Sequence, residues 1–204
     1  MTDQHTTYGT KVIVTTRREA HYVLDEILGN VTDLPITEHA TDTHGVTLVN
    51  FALFDLLGMQ LSPRIRDLGK ITLYRPVPRA GAEARFPHAG GLLTRKLNLD
   101  LIAEHYDDLL RLAGSLKFGH ATASLLVGKL TASGRQNALA AALKEYGAMR
   151  RTLYACRYLT TGARSRASST RANPSTPSNA ASSTPTTELS VPVTWKPRPS
   201  RHGV

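Results

Sequence analysis

The chain has almost no cysteine, and that shortage is the first constraint. Cys156 is the only one in 204 residues, so no disulfide framework can form within the chain and no CxxC pair exists for zinc or redox chemistry. No apolar run is long enough to span a bilayer, and no signal peptide opens the sequence. The cytoplasm is therefore the expected compartment, with no membrane partner. A nucleophile elbow and a phosphate-binding glycine loop are also missing, which excludes the commonest hydrolase and nucleotidase signatures. No internal repeat is visible. The 41% hydrophobic content suits a globular chain with a core of its own.

Positive charge is in excess. The net charge of +9 favours a polyanionic partner such as nucleic acid. The excess is unevenly spread. Beyond residue 159 the chain holds Arg164, Arg166, Arg171, Lys196, Arg198 and Arg201 against Glu188 alone, so this segment carries +5 of the total. Its 45 residues include 17 Ser or Thr and six Pro. Such a composition cannot bury enough apolar area to offset its ordering entropy, and residues 160–204 are expected to be a disordered basic tail.

Ahead of it, residues 7–16 are rich in β-branched side chains and read as a strand. Residues 18–28 carry Ala20, Val23, Leu24, Ile27 and Leu28 at helical spacing and stop at Gly29-Asn30. A short strand is expected over 35–41, a helix over 47–57 ended by Gly58, and a strand over 59–65 at an edge or end, because of Pro63. Pro76, Pro78, Pro87, Gly90 and Gly91 predict an irregular connector from 75 to 97. Three helical patterns follow, over 99–116, 122–130 and 136–158. The fold class is α/β.

The most informative segment is EHATDTHG, residues 38–45. It sets Asp42 in a polar turn between a short strand and an amphipathic helix, where an α/β sheet presents groups to a ligand. A carboxylate there suits a hard divalent cation such as Mg²⁺. The same residues also suit an Asx turn or a helix cap. His39 and His44 flank Asp42, but a zinc site lacks the further ligands it needs.

EILGNVTDLPITEHATDTHGVTLVNFALFDLLGMQLSPRIRDL resembles the catalytic core of the Tn-three family of replicative transposases, as do GTKVIVTTRREAHYVLDEIL, LYRP, AGSLKFGHATASLL and RQNALAAALKEYG. The resemblance covers about residues 2–160. It implies a partial ribonuclease-H-like core at 1–74, the connector at 75–97 and a helical insertion at 98–159. It further implies catalysis by a metal-binding Asp-Asp-Glu set with Mg²⁺, action on transposon ends and target DNA, and a dimer on DNA. Asp42 matches the second acid. The first is expected upstream of these residues, and Asp3 does not match it. On this pattern the chain is a fragment with one catalytic acid of three, inactive alone.

In that family the last helix is followed by a motif close to LNKGESLHAL, whose Glu completes the set. Here the chain reads SSTRANPSTPSNAASSTPTT, residues 168–187. With the reading frame shifted by one base, codons for these residues can encode LNKGESLHALERGLFYANDG. A frame shift after about residue 160 is therefore expected, and the gene's nucleotide sequence decides it. The alternatives to a transposase fragment are a non-enzymatic basic DNA-binding module, or a remnant without function.

Arg64, Arg66, Lys117, Arg150 and Arg151 are candidate DNA contacts, with His120 beside Lys117 near a helix start. Glu104, Asp107 and Asp108 read as a solvated helix face. Cys156, on a helical pattern, is expected to be buried or half-buried.

Overall fold

A computed structural model describes residues 12, 20–30, 35–41, 46–65, 67–132 and 137–170. Of the expected strand at 7–16 only Val12 is described, and the rest lies outside the described residues. Helix α1, Ala20–Leu28, buries Ala20 and Leu24 and packs Val23, Ile27 and Leu28 against the core, as its spacing requires. The strand β1, Glu38–Thr41, follows.

Helix α2, Leu48–Leu56, starts where the Thr47 side-chain oxygen accepts a hydrogen bond from the Asn50 amide at 3.1 Å, satisfying an otherwise orphan donor. It ends at Gly58, whose φ of +80° is a left-handed conformation that costs a side-chain-bearing residue energy. There the amides of Gly58 and Met59 donate back to the carbonyls of Asp55 and Phe54, at 3.0 and 2.8 Å. That pairing turns the chain sharply and aims it into β2, Gln60–Pro63. β2 lies parallel to β1, in register from Glu38 opposite Gln60 to Thr41 opposite Pro63. Parallel strands need a crossover, which α2 supplies. Pro63 closes β2, where its missing amide does no harm.

Residues 75–97 depart from the irregular connector that their prolines and glycines predict. RAGAEAR forms helix α3, Arg79–Arg85, because Ala, Glu and Arg are good helix formers and Pro78 can precede a first turn. Two residues on each side pair as parallel strands, β3 (Tyr74–Arg75) with β4 (Arg95–Lys96). The helix expected over 99–116 is two helices, α4 (Leu99–Glu104) and α5 (Tyr106–Lys117), separated at His105. Asn98 caps α4 through its side chain, and Asp107 and Asp108 in the first turn of α5 complement that helix's dipole.

Helix α6, Ala123–Ala132, precedes the long helix α7, Ala138–Thr170. α7 continues past residue 160, where the Ser/Thr-rich composition begins, so the change in composition does not coincide with the end of the helix. Residues 171–204 lie outside the described residues. The core gathers Leu24, Phe51, Leu53, Phe54, Leu61, Leu109, Leu116, Val127 and Leu143 from α1, α2, β2, α5, α6 and α7. Five consecutive α2 residues, from Asn50 to Phe54, are buried, so α2 is enclosed on all sides. The one polar member, Asn50, donates to the Ala20 carbonyl at 2.7 Å and ties α2 to the start of α1. Mixed helices with small parallel sheets make this an α/β chain.

Candidate DNA-processing site

Thr41 is the last residue of β1, and Asp42 follows it. Asp42 and His44 lie outside the described residues, as does Arg66. The Arg64 amide donates to the Thr41 carbonyl at 2.8 Å, extending the β1–β2 ladder by one bond. The carboxylate of Glu38, the first residue of β1, accepts hydrogen bonds from Gln60 and Ser62 of β2. His39 is half-buried and stacks on Phe54, with ring centroids 5.7 Å apart, and burial lowers its pKa. An imidazole committed to an apolar ring is poorly suited to join Asp42 and His44 in a zinc site. Among the described residues, no group of three His, Cys, Asp or Glu side chains could hold a metal ion.

α7 lies across the carboxyl end of β2. The Tyr154 hydroxyl donates to the Pro63 carbonyl at 2.8 Å, and its ring meets Phe51. Two of the candidate DNA contacts sit side by side on this helix with different partners. Arg150 forms an ion pair with Asp55 of α2, and the same carboxylate accepts a 2.6 Å hydrogen bond from the Tyr146 hydroxyl. Burial, and then that bond to Asp55, push the Tyr146 phenol well above its usual range. The charge of Arg150 is thus balanced within the protein. Arg151 has no carboxylate partner among the described residues. It lies over the Tyr74 ring, 5.8 Å from its centroid, and donates to the Thr72 carbonyl at 3.0 Å. Burial lowers its pKa, because removing a guanidinium from water disfavours its charged form.

Lys117 and His120 are exposed at the end of α5. The amino end of α6 beside them already holds an anion. The Asp25 carboxylate accepts hydrogen bonds from the Ala123 and Ser124 amides, at 2.5 and 3.3 Å, and so fills the position a phosphate would take. Sequence reading missed this role, because the two partners are 98 residues apart. Glu104 and Asp107 are exposed, and Asp108 pairs with Arg111 at 2.6 Å, as a solvated face requires. Cys156 is exposed instead of buried. The buried stripe of α7 runs through Ala148, Thr152 and Ala155, and the next residue falls about 100° away.

No helix among the described residues is long and apolar enough to cross a membrane. Comparison with known proteins supplies the family. Residues 1–183 match the family described as the Tn3 transposase DDE domain. The chain is 46% identical over 154 residues to the transposase for transposon Tn21 of Escherichia coli, covering 76% of this chain and 15% of that protein. It is 45% identical over 154 residues to the transposase for transposon Tn501 of Pseudomonas aeruginosa, with the same coverage. With the transposase for transposon gamma-delta of Escherichia coli (strain K12) it shares 34% identity over 159 residues, 78% of this chain and 16% of that one. The chain thus spans roughly a sixth of the length of these relatives. With a family match over most of its length, the chain belongs to the Tn3 transposase DDE domain family.

Proposed function

We propose that these residues serve DNA transposition, as part of a catalytic domain that cuts transposon ends and joins them to target DNA. In this reading residues 1–74 belong to a ribonuclease-H-like core, 75–97 connect it to a helical insertion at 98–159, and Asp42 is one of the catalytic acids. The supporting observation is the parallel β1–α2–β2 unit, in which Asp42 comes directly after the last residue of β1. The carboxyl end of a parallel pair is where α/β sheets present reactive groups.

Hydrolytic nicking and strand transfer are both phosphoryl transfers. A divalent cation, Mg²⁺ in this reading, supplies charge neutralisation at the attacking and leaving oxygens when several carboxylates hold it. One carboxylate does not make such a site, since Mg²⁺ keeps its octahedral shell and needs more oxygen ligands. No reaction step is therefore assigned to these residues by themselves. The partner is DNA, engaged by a dimer and in the cytoplasm.

Two assays test the reading. Incubated with a labelled end duplex and Mg²⁺ or Mn²⁺, the chain alone should neither nick nor join it. Cleavage that disappears in Asp42→Ala would overturn the assignment of a single acid to these residues. The role of Asp42 is tested by transplanting residues 1–159 into the matching segment of the Tn21 transposase. The chimera should transpose, and Asp42→Ala should abolish transposition while leaving end binding intact. Transposition that survives the substitution removes Asp42 from the catalytic set.

A further inference from the structure

Four cations lie where β3 and β4 meet α7, Arg75 and Lys96 on one face of the pair and Arg95, with the Tyr74 ring that Arg151 covers, on the other. Arg75 on β3 stands opposite Lys96 on β4, and Tyr74 stands opposite Arg95. The Tyr74 amide donates to the Thr152 hydroxyl of α7 at 3.2 Å, and Arg151 covers the Tyr74 ring. Arg95 and Lys96 are exposed, while Arg75 and Arg151 are half-buried.

None of the four has a carboxylate partner among the described residues. Glu83 on α3 pairs with Arg79, Asp55 with Arg150, and Glu145 accepts a hydrogen bond from the Asn98 amide at 3.0 Å. The two half-buried guanidiniums are held by neutral groups only. Arg75 donates to the carbonyls of Leu93 and Thr94 at 2.9 and 2.6 Å, and Arg151 to that of Thr72. Carbonyls orient a guanidinium without neutralising it, so the charges are fixed in place. Backbone bonds and the Tyr74 ring have already restricted these side chains, which lowers the entropic cost of binding.

The location gives the patch its use. Arg151, Thr152 and Tyr154 lie within three residues of one another on α7, about 4.5 Å of helix rise. Through them the same stretch of helix touches the β3 segment at Thr72 and Tyr74 and the carboxyl end of β2 at Pro63. Pro63 is the register partner of Thr41, the residue before Asp42.

We propose that Arg95 and Arg151 on one side of the β3–β4 pair, with Arg75 and Lys96 on the other, straddle it as a phosphate-binding surface that holds the backbone of duplex DNA beside the Asp42 end of the β1–β2 sheet. The proposal rests on the DNA-processing reading and names the surface that positions the DNA. Arg95 and Lys96 meet phosphates through water-exposed charge, and Arg151, stacked on Tyr74, sets the register. Such contacts carry no base information, so the patch binds duplexes of any sequence.

The test uses the full chain and a fluorescein-labelled duplex, with affinity measured across a salt series. Arg95→Glu/Lys96→Glu changes exposed residues and should preserve the circular dichroism spectrum. It should weaken binding at least tenfold at low salt and flatten the slope of log affinity against log salt by about 2, roughly 0.9 for each phosphate that the variant no longer neutralises. Lys129→Glu, on the exposed face of α6, should stay within twofold of the unmodified chain. Arg151→Lys keeps the charge but loses the stacked plane, and should fall between the two. Binding by the double variant as strong as that of Lys129→Glu would overturn the patch while leaving the DNA-processing reading intact. Failure of the unmodified chain to bind duplex at low salt would overturn both.

Discussion

Two successive stretches of α7 meet the rest of the molecule in opposite ways. From Leu139 to Ala148 the helix is packed into apolar neighbours. Leu143 is fully buried, Tyr146 nearly so, and Gly147 lets the backbone of α7 come directly against the Leu48 carbonyl at the start of α2. From Arg150 to Tyr158 the same helix offers hydroxyls, guanidiniums and tyrosine rings to the β2 end and the β3 platform. The first stretch derives its strength from excluded water, which is non-directional and adds with area. The second depends on directed polar contacts, individually worth about 1 kcal/mol and easily exchanged for a ligand's. On the proposed reading stability and recognition are divided along one helix, and substitutions in the two stretches should act on different measurements.

The largest effect should come from Gly147. A Cβ at this position would fall well inside the van der Waals radius of the Leu48 carbonyl oxygen, and backbone cannot move aside as a side chain can. Gly147→Ala must therefore push α2 and α7 apart. Although alanine is the better helix former, the expected outcome is a loss of about 3 kcal/mol or more, read from urea denaturation. A stability equal to or above that of the unmodified chain would show that the helices do not approach this closely. The packed half of α7 would then no longer differ in kind from the polar half.

Asp25 tests a different kind of joint. Its carboxylate closes the amino end of α6 from α1, so one side chain both caps a helix and docks two helices together. Asp25→Ala should cost about 1.5–2 kcal/mol, the range for losing a strong cap or a charge-assisted hydrogen bond. Asp25→Asn keeps one acceptor oxygen and should recover part of the loss. If both variants melt with the unmodified chain, the amides at Ala123 and Ser124 are satisfied in some other way.

These examples show which features can be read along the chain and which cannot. Helix α1, strand β1, helix α2 and strand β2 each carry their cause within a dozen residues: an apolar stripe, the Thr47 cap, the Gly58 stop, the Pro63 end. The position of Asp42 after β1 was legible for the same reason. Features set by distant partners were not. Asp25 looks like any acid on a helix until Ala123 is brought to it, and Arg150 and Arg151 look equivalent until Asp55 claims one and Tyr74 the other. Arg75, Arg95 and Lys96 were passed over because prolines and glycines marked their segment as irregular. Alanine-rich α3 and the β3–β4 pair bring structure to it instead. The break at His105 was hidden by apolar spacing that runs unchanged through both α4 and α5.

The smallest expected effect concerns His39, which reports on the apolar side of the contrast from the sheet. Its ring stacks on Phe54 and is half-buried, so burial lowers its folded-state pKa from the ordinary value near 6.5. The unfolded chain therefore binds the His39 proton at a higher pH than the folded chain does. By linkage, stability falls as pH drops from just above 6.5 to the lowered folded pKa, and below that pKa this contribution stops changing. Because the ring keeps some exposure, the change should be modest. It should be isolated by comparing pH-dependent denaturation of the unmodified chain with that of His39→Phe, which keeps a stacked ring but cannot ionise. The variant should show a flatter pH dependence across this window. Equal slopes would mean that His39 is protonated as readily in the folded chain as in the unfolded one, and that its packing against Phe54 does not exclude water.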